Sequence, residues 1–451
     1  MRITRTVAAA AATALVSVVA LAGCGSGTPG VSASQANQTP GSGPVTINFW
    51  SQKFEDYQTA WETKWVDTFN KSQSDVKVVL TVVPADAWAQ KLKAAQAAGK
   101  APDVYTINYG SIPPAVADGQ LKALNGLVPD AAFADVTENV KKLITVKGQQ
   151  YAYPWNTEPS AVLYYRKDLY SAAGLDPAKP PATWAELTAD AKVLTRDKVY
   201  GISTASTAAD LAWSSWGLQY DAAGHLPMSA DWSQAQANDP AYVQLAQFYK
   251  GLYDDGSMPK QALAPYADGA PLGQGKVAQQ ISGSWVIGQL RQEYPKMLDN
   301  IAVAPVPSMD GAKDKPTATL GGWTLAIDAK STHDAQGAAF IKYLLGGDTS
   351  VMLDYFKAAG FSKYAPRTSV AQAIEKDPAA QADPYRKIIT DEVVPYAAPE
   401  ATYPNDLNVY FATAIEKSMK GGDPASAMAD AQQQMTSYIA KNKLAGTNPQ
   451  Q

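Results

Sequence analysis

Apolar side chains in the first quarter of the chain repeat with the period of a strand and then with that of a helix. Residues 46–50 alternate polar and apolar positions, and further strand-like runs cover 76–83 and 103–107. After the first run, four aromatic residues follow at steps of four: Tyr57, Trp61, Trp65 and Phe69. Because this spacing places them on one helix face, we expect Trp61 and Trp65 to pack in the core. Alternating strands and helices predict a mainly parallel sheet covered by helices.

Polar side chains follow two of these predicted strands. Gln52 and Lys53 come after the first strand, and Asn108 and Tyr109 come after the third. Open α/β sheets bind their ligands beyond the carboxyl ends of the strands. We therefore predict that these four side chains contact a ligand.

Two proline-bounded segments, 151–159 and 301–307, interrupt the regular pattern. Polar, aromatic and proline residues between patterned regions are typical of a hinge at a domain boundary. Between these segments, Thr183 and Glu186 form a capping box that opens a helix. Residues 383–439 are helical in pattern, and the sequence contains no repeat of solenoid period.

Two glycine-containing runs, 275–285 and 320–327, each join a strand-like segment to one tryptophan. Glycine allows a close approach of the backbone, and a tryptophan at a strand end offers a flat face with one N–H donor. Such a surface suits a sugar ring, so Trp285, Gly322 and Trp323 are candidate ligand contacts. The alternative is that both tryptophans are ordinary core residues.

Trp213 and Trp216 lie three residues apart and are further candidates. At this spacing the two rings could share one face of a helix. Core packing is the favoured interpretation for one of the two.

The N-terminal 23 residues have the features of a secretory signal peptide. Arg2 and Arg5 precede an uncharged run over 7–21, which is short for a membrane span. Residues 21–24 read Leu-Ala-Gly-Cys and resemble the bacterial lipobox, in which the cysteine is lipidated after cleavage. Cys24 is the only cysteine, so the mature chain cannot form an internal disulfide. Residues 24–44 carry no charge and predict a flexible tether.

Charge and residue inventory exclude several classes of function. Loss of residues 1–23 removes two arginines and no acid, and takes the formal net charge from −4 to −6, which does not favour nucleic-acid binding. His225 and His333 are the only histidines and are far apart in the sequence. They are too few to favour a histidine metal cluster or a histidine-based catalytic triad. Residues 270–277 lack the first glycine and the Ser or Thr of a phosphate loop. We expect no metal and no cofactor. Glycosidase chemistry needs only two carboxylates, and 42 acidic residues leave it open.

From residue 45 to about 439 the chain resembles the extracellular solute-binding proteins of carbohydrate ABC transporters, the maltose-binding and glycerol-phosphate-binding group. The motifs that carry the likeness are 49–50, 101–104, 153–169, 181–187, 275–285, 304–307, 321–323 and 364–367. Each motif is short, and it is their order along the chain that makes the resemblance specific. The family is similar in fold to the type II periplasmic binding proteins, which have two α/β lobes joined by hinge strands around a ligand cleft.

The resemblance implies how this chain divides. The first lobe would combine residues 45–157 with 306–367, and the second would combine 158–305 with 368–445. Lobe closure around the ligand would present a surface to a membrane permease.

The resemblance also assigns roles by position. Ligand contacts would come from the residues already described and from two more, which together are Gln52, Lys53, Asn108, Tyr109, Glu158, Trp213, Trp216, Trp285, Gly322, Trp323 and Arg367. The family often has an acidic residue near Gly110, and none is present in this stretch of sequence.

The resemblance implies a monomeric carbohydrate-binding protein that is not an enzyme. It would be held on the outer face of the cell membrane by lipid at Cys24, would deliver its sugar to ABC permease subunits and would not bind nucleic acid. Two alternatives stay open. One is binding of another polar solute, such as a glycerophosphodiester or a short peptide. The other is a lipid-anchored glycoside hydrolase, for which Glu158 is the one acidic candidate in the cleft.

Overall fold

The computed structural model describes residues 43–451. The strands in this range are β1 (Val45–Lys53), β2 (Val76–Pro84), β3 (Val104–Asn108), β4 (Thr145–Val146), β5 (Gln149–Gln150), β6 (Tyr153–Pro159), β7 (Val162–Arg166), β8 (Tyr200–Ser203), β9 (Val277–Ser282), β10 (Ile301–Ala304), β11 (Thr319–Ile327) and β12 (Ala398–Pro399). The predictions for the signal peptide and for lipidation of Cys24 lie outside the described residues, as does nearly all of the predicted tether.

The α-helices of the same range complete the element order. They are α1 (Asp56–Ser72), α2 (Ala85–Ala97), α3 (Ile112–Ala117), α4 (Asp130–Ala134), α5 (Glu138–Ile144), α6 (Lys167–Ala172), α7 (Trp184–Leu194), α8 (Ala208–Ser214), α9 (Trp216–Ala223), α10 (Pro240–Asp254), α11 (Ala270–Gly273), α12 (Val286–Glu293), α13 (Asp334–Leu344), α14 (Thr349–Ala358), α15 (Thr368–Glu375), α16 (Pro378–Gln381), α17 (Pro384–Ile388), α18 (Asn405–Met419) and α19 (Pro424–Asn442). Within residues 43–451, no helix has the length and apolar character needed to cross a membrane.

A six-stranded sheet organises the first part of the fold. Its order is β12–β11–β3–β1–β2, with β6 also paired to β11. β1 runs parallel to β2 and β3, whereas β11 runs antiparallel to β3 and β6. The sheet is therefore mixed, with the predicted parallel strands at its centre and one side.

Helices α1, α13 and α14 pack on this sheet through aromatic side chains. The ring of Phe49 lies 5.3 Å from that of Phe340 on α13. Trp61 of α1 is 3% exposed, which confirms its predicted place in the core. Trp65 lies at the edge of the core, half-buried, where its indole N–H donates to Asp354 Oδ2 over 2.9 Å.

A second, four-stranded sheet has the order β10–β7–β9–β8. β7 is antiparallel to β9 and β10, and β8 is parallel to β9. Nearby, α7 begins at the predicted capping box, in which the Glu186 N–H donates to Thr183 Oγ1 and the Thr183 N–H donates to Glu186 Oε2, both over 3.1 Å. Each sheet has its own hydrophobic core, and these two cores define two lobes.

The chain passes from lobe to lobe at several crossings. The first, at 160–161, joins β6 to β7, and the second, at 305–318, joins β10 to β11. Ser160 secures the first crossing: the Thr319 N–H donates to its Oγ over 3.0 Å, and the Tyr266 hydroxyl donates to its carbonyl over 2.8 Å.

The third crossing differs from the boundary predicted after Arg367. Val370 and Ile374 of α15 lie in the core of the first lobe, whereas Ile389 lies in that of the second. The chain therefore crosses after α16, because the apolar face of α15 packs on the first lobe. β12 then returns to the first sheet beside β11 before Tyr403 enters the second core.

Candidate ligand-binding site between the lobes

The carboxyl ends of β1, β3 and β6 meet at one edge of the first sheet. In β11, Trp323 pairs with Asn108 of β3 on one side and with Asn156 of β6 on the other. Phe54, directly after β1, packs on the half-buried Trp323 with ring centroids 4.3 Å apart. Sequence analysis missed Phe54, although it follows the first strand as Gln52 and Lys53 do.

Gln52 and Lys53 have local partners at this edge. The Gln52 N–H donates to Thr106 Oγ1 over 3.0 Å, and its carbonyl accepts from Gln58 Nε2 over 3.2 Å. The ammonium of Lys53 lies 2.9 Å from the carboxylate of Asp56 and is about half exposed. The main chain of Gln52 is therefore fixed, and the charge of Lys53 is balanced close by.

A buried ammonium group lies between two carboxylates beside the first crossing. Lys363 Nζ is 2.8 Å from Glu158 Oε2 and 3.3 Å from Glu55 Oε1, and its side chain is 2% exposed. Burial raises the pKa of Glu158, and Lys363 opposes this rise. Burial alone would lower the pKa of Lys363, but the two carboxylates outweigh it and hold that pKa well above its ordinary value. Glu158 is thus part of an ion cluster, and sequence analysis missed Lys363.

Glu400, in the segment after β12, brings a carboxylate to Gly110. Its Oε2 accepts the Gly110 N–H over 3.1 Å and lies 3.5 Å from Asn108 Nδ2. Burial raises the pKa of Glu400 to about 7, against the lowering effect of the Gly110 N–H. The acidic group that is missing near Gly110 in sequence is therefore supplied in space by a residue 290 positions away.

The second lobe contributes a group of aromatic rings beside the same crossing. The Trp213 ring lies 6.1 Å from that of Trp285 and 5.2 Å, edge to face, from that of Tyr266. Trp285 is half-buried, and its indole N–H donates to the Ala267 carbonyl over 2.9 Å. Its ring covers Gly283, where an added Cβ would stand 2.0 Å from ring atoms. Gly283 therefore makes room for the indole itself.

Hydrogen bonding at the first crossing brings the two lobes together at this point. The Ser284 N–H, next to Trp285, donates to the Pro159 carbonyl over 3.1 Å. Pro159 follows Glu158 and pairs with Leu320, three residues before Trp323. We call the surface formed here the interlobe site. Its members are Phe54, Asn108, Glu158, Trp323 and Glu400 of the first lobe with Trp213 and Trp285 of the second.

Four predicted contacts have structural roles instead, and two of them are buried aromatic residues. Tyr109 is 2% exposed and its hydroxyl donates to the Asn156 carbonyl over 3.2 Å. Trp216 is 5% exposed and its indole N–H donates to Asn408 Oδ1 over 2.9 Å in the second core. Trp213 and Trp216 do not share a helix face, because α8 ends at Ser214 and Trp216 begins α9.

Arg367 is a structural residue of the first lobe. Its guanidinium lies 2.7 Å from Asp135 Oδ2 and donates to the carbonyls of Leu345 and Gly347 over 2.7 and 2.9 Å. It is 6% exposed. With these partners the side chain joins three segments of one lobe, and it is not part of the interlobe site.

Gly322 serves the packing of two strands. It has φ +135°, and an added Cβ would lie 2.3 Å from the Asn156 carbonyl oxygen of β6. The β6–β11 register shifts at the next residue. Glycine is therefore required here by the backbone and by the neighbouring strand, and no ligand is needed to explain it.

Two pockets that are open to the surface lie away from the interlobe site. One, of about 450 Å³, adjoins the second crossing and includes Pro181, Val306 and Tyr396 in its lining. The other lies between α10 and α19, with Val243 and Met428 in its wall. None of the predicted contact residues lines either pocket. Within residues 43–451, no group of three or more His, Cys, Asp or Glu side chains could hold a metal ion.

Two α/β lobes, each with its own sheet and core, and aromatic and carboxylate side chains at their crossing define a two-lobed solute-binding protein. The chain belongs to the bacterial extracellular solute-binding protein family, whose model matches residues 52–348. This assignment and the similar solved structures confirm the family and the fold class predicted from the sequence. The family is one of extracellular binding proteins.

Relatives and solved structures extend the comparison. The chain is 27% identical over 330 residues to the sn-glycerol-3-phosphate-binding periplasmic protein of Yersinia pestis, covering 69% of this chain and 71% of that one. An ABC transporter solute-binding protein from Thermotoga lettingae, solved with α-D-tagatose, is similar with a TM-score of 0.75 and 22% identity over 88% of this chain and 100% of that one. The cyclic α-maltosyl-1,6-maltose binding protein of Arthrobacter globiformis gives a TM-score of 0.68 and 25% identity over 89% and 100%.

Proposed function

We propose that this protein is the carbohydrate-binding component of an ABC importer, which holds a sugar between its lobes and delivers it to a membrane permease. The observation that carries the proposal is the pairing of half-buried aromatic rings with carboxylates at the interlobe site. Trp323 and Phe54 provide an aromatic surface on one lobe, and Trp213 and Trp285 provide one on the other. The similar proteins solved with tagatose and named for binding cyclic α-maltosyl-1,6-maltose support a sugar ligand.

The chemistry of a sugar fits these groups. The C–H face of a pyranose or furanose ring is apolar and packs on a flat indole, while its hydroxyls need hydrogen-bond partners. Ionised carboxylates accept hydrogen bonds, and charge-assisted hydrogen bonds are about twice as strong as neutral ones. Glu400 and the Asn108 amide lie beside Trp323 and supply such partners.

Glycerol phosphate is the second candidate, because the Yersinia pestis relative is a glycerol-3-phosphate-binding protein. A phosphate needs cationic or N–H donors. At the interlobe site Lys363 is already shared by two carboxylates, and nearby Lys53 is paired with Asp56. We therefore rank this candidate below a neutral sugar.

Hydrolysis is the least supported function. Glu158 and Glu400 are two carboxylates at the same site, but Glu158 is ion-paired to the buried Lys363, which leaves only one of the two able to contact a ligand. A general acid or nucleophile must be free to reach the glycosidic bond. Incubation with oligosaccharides should release no new reducing ends, and their steady release would identify an enzyme.

A thermal-shift panel tests the proposed function. The panel contains tagatose, maltose, cyclic α-maltosyl-1,6-maltose and sn-glycerol-3-phosphate. A ligand present at 100 times its dissociation constant stabilises the folded state by about 2.7 kcal/mol, so a genuine ligand raises the melting temperature by several degrees. We expect a neutral sugar to do so. A shift with glycerol phosphate alone would favour the second candidate.

A further inference from the structure

We propose that Glu400 is the specificity-determining residue of the interlobe site and that it selects neutral sugars over anionic ones. This inference rests on the proposed function. It adds a ligand class, sugars without phosphate or carboxylate groups, and it names the residue that enforces the choice.

Glycines create the space in which Glu400 lies. An added Cβ at Gly321 would stand 1.7 Å from Glu400 Oε1, and one at Gly110 would stand 2.3 Å from the Ala401 carbonyl oxygen. Two separate segments of the first lobe therefore lack side chains where the 400–401 segment passes. The glycines of β11 and of the turn after β3 therefore fix where the carboxylate lies.

The carboxylate keeps capacity for a ligand. Glu400 accepts from the Gly110 N–H over 3.1 Å and from the Asn108 amide over 3.5 Å. An ionised carboxylate offers about four acceptor positions, so about two are left for sugar hydroxyls. Part of the Glu400 surface remains exposed.

Charge around Glu400 disfavours an anion. The charged groups of this region are the carboxylates of Glu55, Glu158 and Glu400 and the ammonium of Lys363. With the adjacent Lys53–Asp56 pair included, four acids accompany two bases, and both bases are already paired with carboxylates. A phosphate or uronate beside Trp323 would meet an unbalanced negative charge in a partly desolvated place, where repulsion is stronger than in water.

The protonation of Glu400 makes the selection against anions dependent on pH. Burial raises its pKa to about 7, and Glu158 adds to the rise. The other titratable groups facing it are Tyr109, which stays neutral because its own pKa is raised, and the Glu158–Lys363 pair. Lowering the pH from 8 to 6 therefore adds a proton to Glu400 and should weaken the exclusion of anions.

Calorimetric titration of wild type and Glu400→Gln tests the inference with tagatose, maltose, cyclic α-maltosyl-1,6-maltose, glucuronate and sn-glycerol-3-phosphate. We expect wild type to bind a neutral sugar and to bind both anions at least ten-fold more weakly. Glu400→Gln should bind the sugar about ten-fold more weakly. The ratio of its sugar affinity to its glucuronate affinity should be smaller than in wild type. That ratio should also be the same at pH 8 and pH 6, whereas in wild type it changes. Gly321→Ala, which displaces the carboxylate, should reproduce the loss of sugar affinity.

Glu392→Gln is the matched control, because it removes the same charge from an exposed position on the same part of the chain. It should bind as wild type does. Sugar binding that is unchanged in a folded Glu400→Gln protein would overturn the role of Glu400 and leave the proposed function standing. Tighter binding of sn-glycerol-3-phosphate than of any sugar would overturn the ligand class, and binding of no sugar at all would overturn the proposed function together with this inference.

Discussion

Trp285 and Trp216 are the same residue type in opposite situations. Trp285 is half-buried just after β9, and its N–H is held by a carbonyl. Trp216 is 5% exposed, and its N–H is held by Asn408 inside the second core. The two substitutions to alanine should therefore have opposite effects.

Trp285→Ala should lose roughly ten-fold or more in sugar affinity, the factor that 1.4 kcal/mol represents. The reason is that the variant loses the flat face on which the sugar ring packs. By analogy, an aromatic side chain that stacks on a nucleic-acid base contributes about 1–3 kcal/mol of binding free energy. Its melting temperature without ligand should stay near that of wild type. Trp216→Ala, the control, should instead lose about 3–5 kcal/mol of unfolding free energy. Calorimetry and thermal melts measure both quantities, and a collapse of stability with unchanged binding in Trp285→Ala would show that Trp285 is a core residue.

The buried carboxyl group of Glu62 leads to a separate prediction about how the stability of the protein depends on pH. It is fully buried, and its Oε1 accepts from Ser51 Oγ and, over 3.0 Å, from Gln58 Nε2. Burial raises its pKa from 4.5 to about 7, against the hydrogen bonds of Ser51 and Gln58. Between these two values the folded state holds more protons than the unfolded state, so this group makes stability fall as pH rises from 4.5 to 7.

The effect of Glu62 can be isolated by Glu62→Gln. Each unit of pKa shift is worth about 1.4 kcal/mol, so the contribution of Glu62 is at most about 3.5 kcal/mol. Urea unfolding between pH 4.5 and 8 should show a shallower decline of stability in Glu62→Gln than in wild type. Parallel curves for the two proteins would mean that Glu62 titrates normally.

At the scale of elements, two of the groups that sequence analysis missed, Lys363 and Glu400, lie on segments far along the chain from the strands whose ends they join. Strands β1 and β3, helix α1 and the capping box of α7 were all predictable, because each shows in local periodicity or in a motif of four residues. Glu400 and Lys363 were not, because no local pattern indicates that the segments at 363 and 400 return to the edge of the first sheet. Tyr109 and Arg367 were assigned by position after a motif, and position does not say whether a side chain points inward.

Lys363 joins two carboxylates beside the first crossing. Lys363→Met would leave Glu158 and Glu55 buried without a cation, and breaking a buried pair by removing one partner typically costs 3–5 kcal/mol. We expect a loss of that size in urea unfolding. Lys64→Met is the control, since the exposed Lys64–Asp354 pair should contribute about 0–1 kcal/mol. Equal losses in the two variants would contradict the account of the ion cluster.

At the scale of the whole molecule, two lobes with separate cores are joined where the chain crosses between them. This arrangement suits a protein that binds by moving two rigid bodies about a hinge. A ligand held by Trp323 on one lobe and Trp285 on the other would link them, and no large rearrangement within either core would be needed.

Attachment to the membrane is also a property of the whole molecule. We predict that Cys24 carries the lipid and that the folded lobes do not depend on it, because Cys24 precedes an uncharged segment that ends at residue 44. Cys24→Ala should appear in the soluble fraction and bind sugar as wild type does. Cell fractionation followed by calorimetry measures both, and a variant that stays with the membrane would contradict lipidation at this residue.

The central claim is that a sugar lies between the lobes at the interlobe site. A crystal structure with the neutral sugar that gives the largest thermal shift tests it most directly. We predict that the sugar ring stacks on Trp285 or Trp323 and that one of its hydroxyls donates to Glu400. A sugar bound instead in the pocket beside Pro181 and Val306, with no contact to these three residues, would contradict the account.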